Sequence, residues 1–160
     1  MELLRKMTQF TKSSKEKLHI YKIYKRRILE QSCVVWGSNN TKQCENELER
    51  VQKVAVRLIS NNYTTYSETL KTLQLETLKE RRHTLMQRFA EKCSKNNKVN
   101  SMFEVNNTTH KIKLRNKTKY RIINAKTVRL QKFAIPFMTR HLDNKHEEKR
   151  KIMSKLSKVI

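Results

Sequence analysis

"TKQCENELERVQKVAVRLIS", residues 41–60, decides the fold class. Leu48, Val51, Ala55, Leu58 and Ile59 recur at steps of three and four, so they line one face of a helix with 3.6 residues per turn. Glu45, Glu47 and Glu49 lie early and Lys53 and Arg57 late, the order that complements a helix dipole. A strand would alternate apolar and polar residues, and this stretch does not.

Working outward, the preceding stretch "YKIYKRRILEQSCVVW" runs from Tyr21 to Trp36. Leu18, Tyr21, Ile28 and Val35 share a face, widened by Tyr24 and Leu29, which predicts a long helix over Lys15 to Trp36. Gly37 and "SNN" follow as a stop, with Gly37 suited to a left-handed cap. The short link to the next helix predicts an antiparallel hairpin. Leu29, Val35 and Trp36 are expected to bury against the second helix, leaving Lys25, Arg26 and Arg27 on the outer face.

Downstream, Thr65-x-x-Glu68 and Thr77-x-x-Glu80 have the pattern of capping boxes. The first opens a short helix through Leu73, the second a helix through about Asn96 with Leu78, Leu85, Met86 and Phe89 on its core side. One Gly and one Pro in 160 residues support a helical chain, because sheets need turn residues far more often. After Asn106 the character changes. Residues 107–160 hold 16 Lys+Arg against 3 Asp+Glu, and "HKIKLR" (His110 to Arg115) alternates like a short strand. Pro136 is expected to interrupt any helix near it. The reading is all-α: a small helical bundle over residues 1–106, built on the antiparallel hairpin, with a basic, partly irregular extension over 107–160.

Charge points to the partner. The chain has 37 Lys+Arg and 14 Asp+Glu, a net charge of +23. Such an excess suits a polyanion, nucleic acid before an anionic membrane surface. Tyr63, Tyr66, Tyr120 and Phe133 lie among basic residues and could stack on bases, although Tyr66 and Phe133 read better as core. The longest uncharged run, Gln31 to Thr41, is 11 residues, and a membrane span needs about 20 apolar ones. No signal-peptide core opens "MELLRKMTQF", so an intracellular place, nuclear or cytoplasmic, is expected, with Cys33, Cys44 and Cys93 as free thiols.

Several chemistries drop out. A single Gly excludes the glycine-rich phosphate loops and the nucleophile elbow. Asp143 is the only aspartate, so no two-metal carboxylate cluster is expected, and Glu45, Glu47 and Glu49 point to different sides of their helix. His141 and His146 are five apart and there is no Cys-x-x-Cys pair, which argues against zinc. His83 and Cys93 lie ten apart on one helix, too far to act as base and nucleophile. No cofactor is expected in this chain.

Taken in order, these blocks resemble a known family. "YKIYKRRILEQSCVVWGSNNTKQCENELERVQKVAVRLI" followed by "YSETLKTLQLETLKERRHTLMQRFAEK" is similar to the region downstream of the catalytic palm in reverse transcriptases of jockey-like non-LTR retrotransposons. The matching positions are Leu48, Glu49, Gln52, Ala55 and Arg57 in one helix, Tyr66, Leu70 and Leu73 in the next block, and Leu78, Arg81 and Arg82 in the third. "AIPFMTRHLDN" resembles the closing block, so the likeness covers about residues 3–144. The palm's aspartate pair has no counterpart, so the resemblance implies the thumb and C-terminal portion only, from a truncated or degenerate element or a partial gene model, and no polymerase or nuclease activity is expected of this chain alone. The intact parent would copy RNA into DNA with Mg²⁺ and deoxynucleotides. The expected role is sequence-independent grip on the backbone of an RNA–DNA or DNA duplex through Lys25, Arg26, Arg27, Arg81, Arg82, Lys111, Lys113, Arg115, Lys117, Lys119 and Arg121. The alternatives are a domesticated module that binds nucleic acid or acidic proteins by itself, and a relic without function.

Overall fold

The computed structural model describes residues 5–6, 9–11, 13–96, 98–106, 118–124 and 126–156. Its elements are α1 (Ser14–Ile20), a wider π-helical stretch (Tyr21–Arg26), α2 (Arg27–Glu30), α3 (Cys33–Trp36), α4 (Lys42–Ile59), α5 (Tyr66–Thr72), α6 (Leu78–Lys95), a 3₁₀ turn (Asn100–Met102), α7 (Val128–Gln131) and α8 (Ala134–Leu156). The protein is all-α; among the described residues the only extended pairing is an isolated antiparallel bridge between Val105 and Tyr120. The expected alternation at 110–115 lies outside the described residues.

The chain forms two compact units. The first comprises residues 1–33 and 40–84, the second 34–39 and 85–160. The division therefore falls inside α6 and not at residue 106, and residues 85–106 belong with the basic C-terminal part.

In the first unit the capping signals are realised. Thr41 Oγ1 accepts the Cys44 N–H at the start of α4. The Thr77 N–H donates to Glu80 Oε2 and the Glu80 N–H to Thr77 Oγ1, both at 3.2 Å, a complete capping box. At α5, Thr65 accepts the Glu68 N–H, and hydrogen bonds from Thr65, then Thr64, hold the Glu68 carboxyl below its usual range. The far end of α5 closes with the Leu75 N–H on the Leu70 carbonyl and the Gln74 N–H on the Lys71 carbonyl. That pairing places Gln74 at φ 51°, a position glycine normally takes.

The first-unit core is Tyr21, Ala55, Val56, Ile59, Leu70 and Leu75, with Leu18, Ile20, Leu58 and Tyr66 packed around it. Leu58 and Val51 are only half-buried, whereas Gln52 is wholly buried in the same face. Gln52 satisfies the hydroxyl that Tyr21 brings inside. Tyr21 Oη donates to Gln52 Oε1 at 2.8 Å, and Gln52 Nε2 donates to Tyr66 Oη at 3.1 Å and to the Glu76 carbonyl at 2.9 Å. Tyr66 Oη in turn donates to Glu49, whose other oxygen accepts the Leu78 N–H. Burial, which disfavours the phenolate, pushes both tyrosine hydroxyls well above their ordinary values.

The long first helix expected over Lys15 to Trp36 is broken. Ser32 stands at φ 54°, between α2 and α3. A left-handed residue ends the α-helical ladder, so the chain changes direction there and the shared apolar face does not continue. Ile28 and Val35 are consequently exposed, Leu29 and Trp36 half-buried. The left-handed cap expected at Gly37 is absent, since no glycine has positive φ.

The second unit packs Ala90, Cys93, Phe103, Tyr120, Ala134, Met138 and Leu142 together. On the expected core side of α6, Leu78 and Met86 are buried and Leu85 is half-buried, but Phe89 is exposed, while Ala90 and Cys93 are also buried. Pro136 does not interrupt its helix, contrary to expectation. It occupies the first turn of α8, where backbone N–H groups have no intrahelical acceptor, so nothing is lost by its missing proton. The helix then runs to Leu156, so the second half of the extension is helical up to that residue.

Candidate nucleic-acid interface

Of the five candidate basic residues in the first unit, Arg26, Arg81 and Arg82 are ion-paired or buried within the protein. Arg26 Nε bonds Glu30 Oε1 at 2.9 Å, four residues on, and its side chain is 12% exposed. Arg81 Nε reaches the same oxygen at 3.3 Å. Arg82 is 2% exposed, so its guanidinium is not offered to a phosphate, which corrects the expectation for that residue. Lys25 is half-buried, and Arg27 alone of the triplet is fully on the surface. Glu30 thus gathers Arg26 and Arg81 onto one carboxylate and neutralises part of their field. The spacing from Arg26 to Glu30 was a readable signal for this pair.

In the second unit Lys119 and Arg121 are exposed. Their segment is held in two ways. The Asn106 N–H donates to the Lys119 carbonyl at 2.9 Å and the Arg121 N–H to the Glu104 carbonyl at 2.8 Å. The buried Asp143 carboxylate accepts the Lys119 N–H at 2.7 Å and the Tyr120 N–H at 3.4 Å. Tyr120 is thereby fixed edge-on to Phe103, with ring centres 6.2 Å apart, and Lys119 Nζ lies 5.3 Å from the Tyr120 ring centre. Arg121 pairs with Glu104 at 3.2 Å, but both side chains are mostly solvated, so the pair contributes little. Lys111, Lys113, Arg115 and Lys117 lie outside the described residues.

Sequence reasoning missed the cavity these elements surround. It measures about 190 Å³ and is lined by Glu91, Ser94 and Lys95 of α6, Tyr120, and Leu142, Lys145, His146 and Lys149 of α8. Glu91 is its single acid. Lys145 bonds that carboxylate and His141 Nε2 approaches it at 3.6 Å. Lys145 foremost, with help from His141, holds the Glu91 carboxyl below its usual range. The His146 imidazole is pushed the other way from easy protonation, by desolvation first, then by the charges of Arg150, Lys119 and Lys149, with Asp143 opposing them. The i,i+4 spacing of Lys145 and Lys149 was visible in the sequence, but their partners on α6 and at Lys119 were not.

The aromatic candidates divide. Tyr120 is core, and Tyr66 is half-buried with its hydroxyl bound. Tyr63 carries Arg57 at 5.1 Å from its ring centre. Phe133 is exposed, against the expectation of a core role. Cys33 and Cys93 are buried, and burial raises both thiols away from the reactive thiolate, while Cys44 is exposed; all three are free. Among the described residues no helix is long and apolar enough to cross a membrane.

No family model matches the chain, and no significant similarity to a curated protein or a solved structure was found.

Proposed function

We propose that the chain is a non-catalytic, thumb-derived piece of a non-LTR retrotransposon reverse transcriptase, gripping a nucleic-acid duplex by its phosphates. The observation that carries the reading is the basic concavity of the second unit. Lys95, Lys145, His146 and Lys149 line it together with one acid, Glu91, which Lys145 already pairs, and Lys119 lies near enough to act on His146. Phosphate contacts position a protein without reading sequence, which suits a polymerase subdomain that must accept any template. The blocks from Tyr21 to Lys92 supply the family resemblance. The only aspartate supports a non-catalytic role, because Asp143 is occupied with two backbone N–H groups.

The test is a titration of the full chain against duplexes of unrelated sequence at several salt concentrations. Affinity should fall linearly in log–log form, with nearly the same slope for each sequence. Replacing Lys95, Lys119 and Lys149 together by Gln should lower that slope by up to roughly 0.9 per lost contact. Binding that ignores salt, or a slope untouched by the triple variant, overturns the reading. Primer extension on an RNA template with Mg²⁺ should give no product from this chain alone.

A further inference from the structure

We propose that the cavity between α6 and α8 in the second unit is a subsite for a terminal phosphate monoester of a nucleic-acid strand. The inference rests on the reading above and adds which part of the nucleic acid enters the site.

The cavity has a floor and a rim of different chemistry. Leu142 and Tyr120, both buried, form an apolar floor. Lys95, Lys145, His146 and Lys149 stand at the rim with the Ser94 side chain. The lining cations come from two helices, Lys95 from α6 and Lys145 and Lys149 from α8, and Lys119, in the segment Asp143 anchors, and Arg150 add their charge at His146. The acids facing it are accounted for. Glu91 is held by Lys145 and His141, and Asp143 accepts two backbone N–H groups. The remaining excess of cations close to an imidazole is what a bound polyvalent anion would relieve.

The shape selects among phosphates. A phosphodiester within a strand carries one charge and is esterified on both sides, so it can only graze the mouth of a concave site. A terminal monoester has a single ester link and carries about −1.5 to −2 at pH 7, so it can descend into the cavity and match several cations. Charge-assisted hydrogen bonds from the ammonium groups and from protonated His146 would hold its oxygens.

The experiment compares the full chain binding to one short duplex in four forms: unphosphorylated, 5′-phosphorylated, 3′-phosphorylated, and unphosphorylated with added inorganic phosphate. A terminal phosphate at one end or the other should tighten binding about fivefold or more at fixed salt. Lys149→Gln and His146→Gln should each erase that preference, and Arg129→Gln, an exposed residue elsewhere on the unit, should leave it intact. The His146 ring resonances should titrate at higher pH with the phosphorylated duplex bound than with the unphosphorylated one. Equal affinity for all duplex forms, with normal salt dependence, overturns the subsite and leaves the duplex-binding reading standing. Failure to bind any duplex overturns both. A His146 shift produced by inorganic phosphate, without any preference for strand ends, overturns the assignment to a strand end.

Discussion

Replacing Gln52 by Leu should destabilise the first unit by about 1.5–4 kcal/mol, although leucine is the better match to an apolar helix face. The estimate follows from the three bonds of the buried amide. The Tyr21 hydroxyl, wholly buried, loses its only acceptor, Gln52 Oε1 at 2.8 Å, at a cost of about 1–3 kcal/mol. The Glu76 carbonyl loses the Nε2 donor at 2.9 Å, but Glu76 is exposed and water can replace it, so about 0.5–1 kcal/mol is lost there. Tyr66 keeps its bond to Glu49 and adds little. Leucine fills nearly the volume of glutamine, so no large cavity term arises. Urea unfolding should show a lower midpoint at unchanged slope. The decisive comparison adds Tyr21→Phe. With both polar partners gone, nothing is left unsatisfied between them, so the double variant should recover about 1 kcal/mol or more relative to Gln52→Leu alone. A double variant no more stable than Gln52→Leu would refute the claim that an unsatisfied Tyr21 hydroxyl dominates the loss.

Gln74→Gly should stabilise the protein by about 0.5–1 kcal/mol in the same assay, since Gln74 sits at φ 51°, where a Cβ is disfavoured; a loss of stability would contradict that strain. Glu91 has a carboxyl held below its usual range, so its contribution is present above the ordinary carboxylate value of 4.5 and is lost as pH falls through the depressed one. Thermal melts at pH 7 and pH 3 should therefore differ less for Glu91→Gln than for the parent, and an unchanged difference would remove Glu91 from the acid response. Arg82→Gln should lower stability by about 1 kcal/mol or more without altering the salt slope of duplex binding, because the side chain is buried; a changed slope at unchanged stability would make it a phosphate contact after all.

Local rules carried the sequence reading where they acted within a few residues. The boundaries of α4 and the caps at Thr65 and Thr77 were legible because hydroxyl, carboxylate and N–H lie within one turn of each other. Helical class followed from periodicity and from the scarcity of Gly and Pro. The break at Ser32 was not legible, since serine there follows an uninterrupted apolar rhythm and the left-handed turn carries no glycine. Pro136 misled for a related reason: its effect depends on its position in a helix, and only the structure puts it in the first turn of α8.

The charges divide along the same line. The sequence by itself determined that the chain is strongly cationic and helical, because composition and period are sums over neighbours along the chain. Which cations remain free for a partner was decided only by tertiary structure. Glu30 is drawn to Arg81, 51 residues away, and Arg82 turns inward. Glu91 is drawn to Lys145, 54 residues away, and Lys119 is brought close enough to act on His146. A charge is cancelled or concentrated by whatever lies within a few ångströms of it, and those distances are set by packing between elements remote in the sequence.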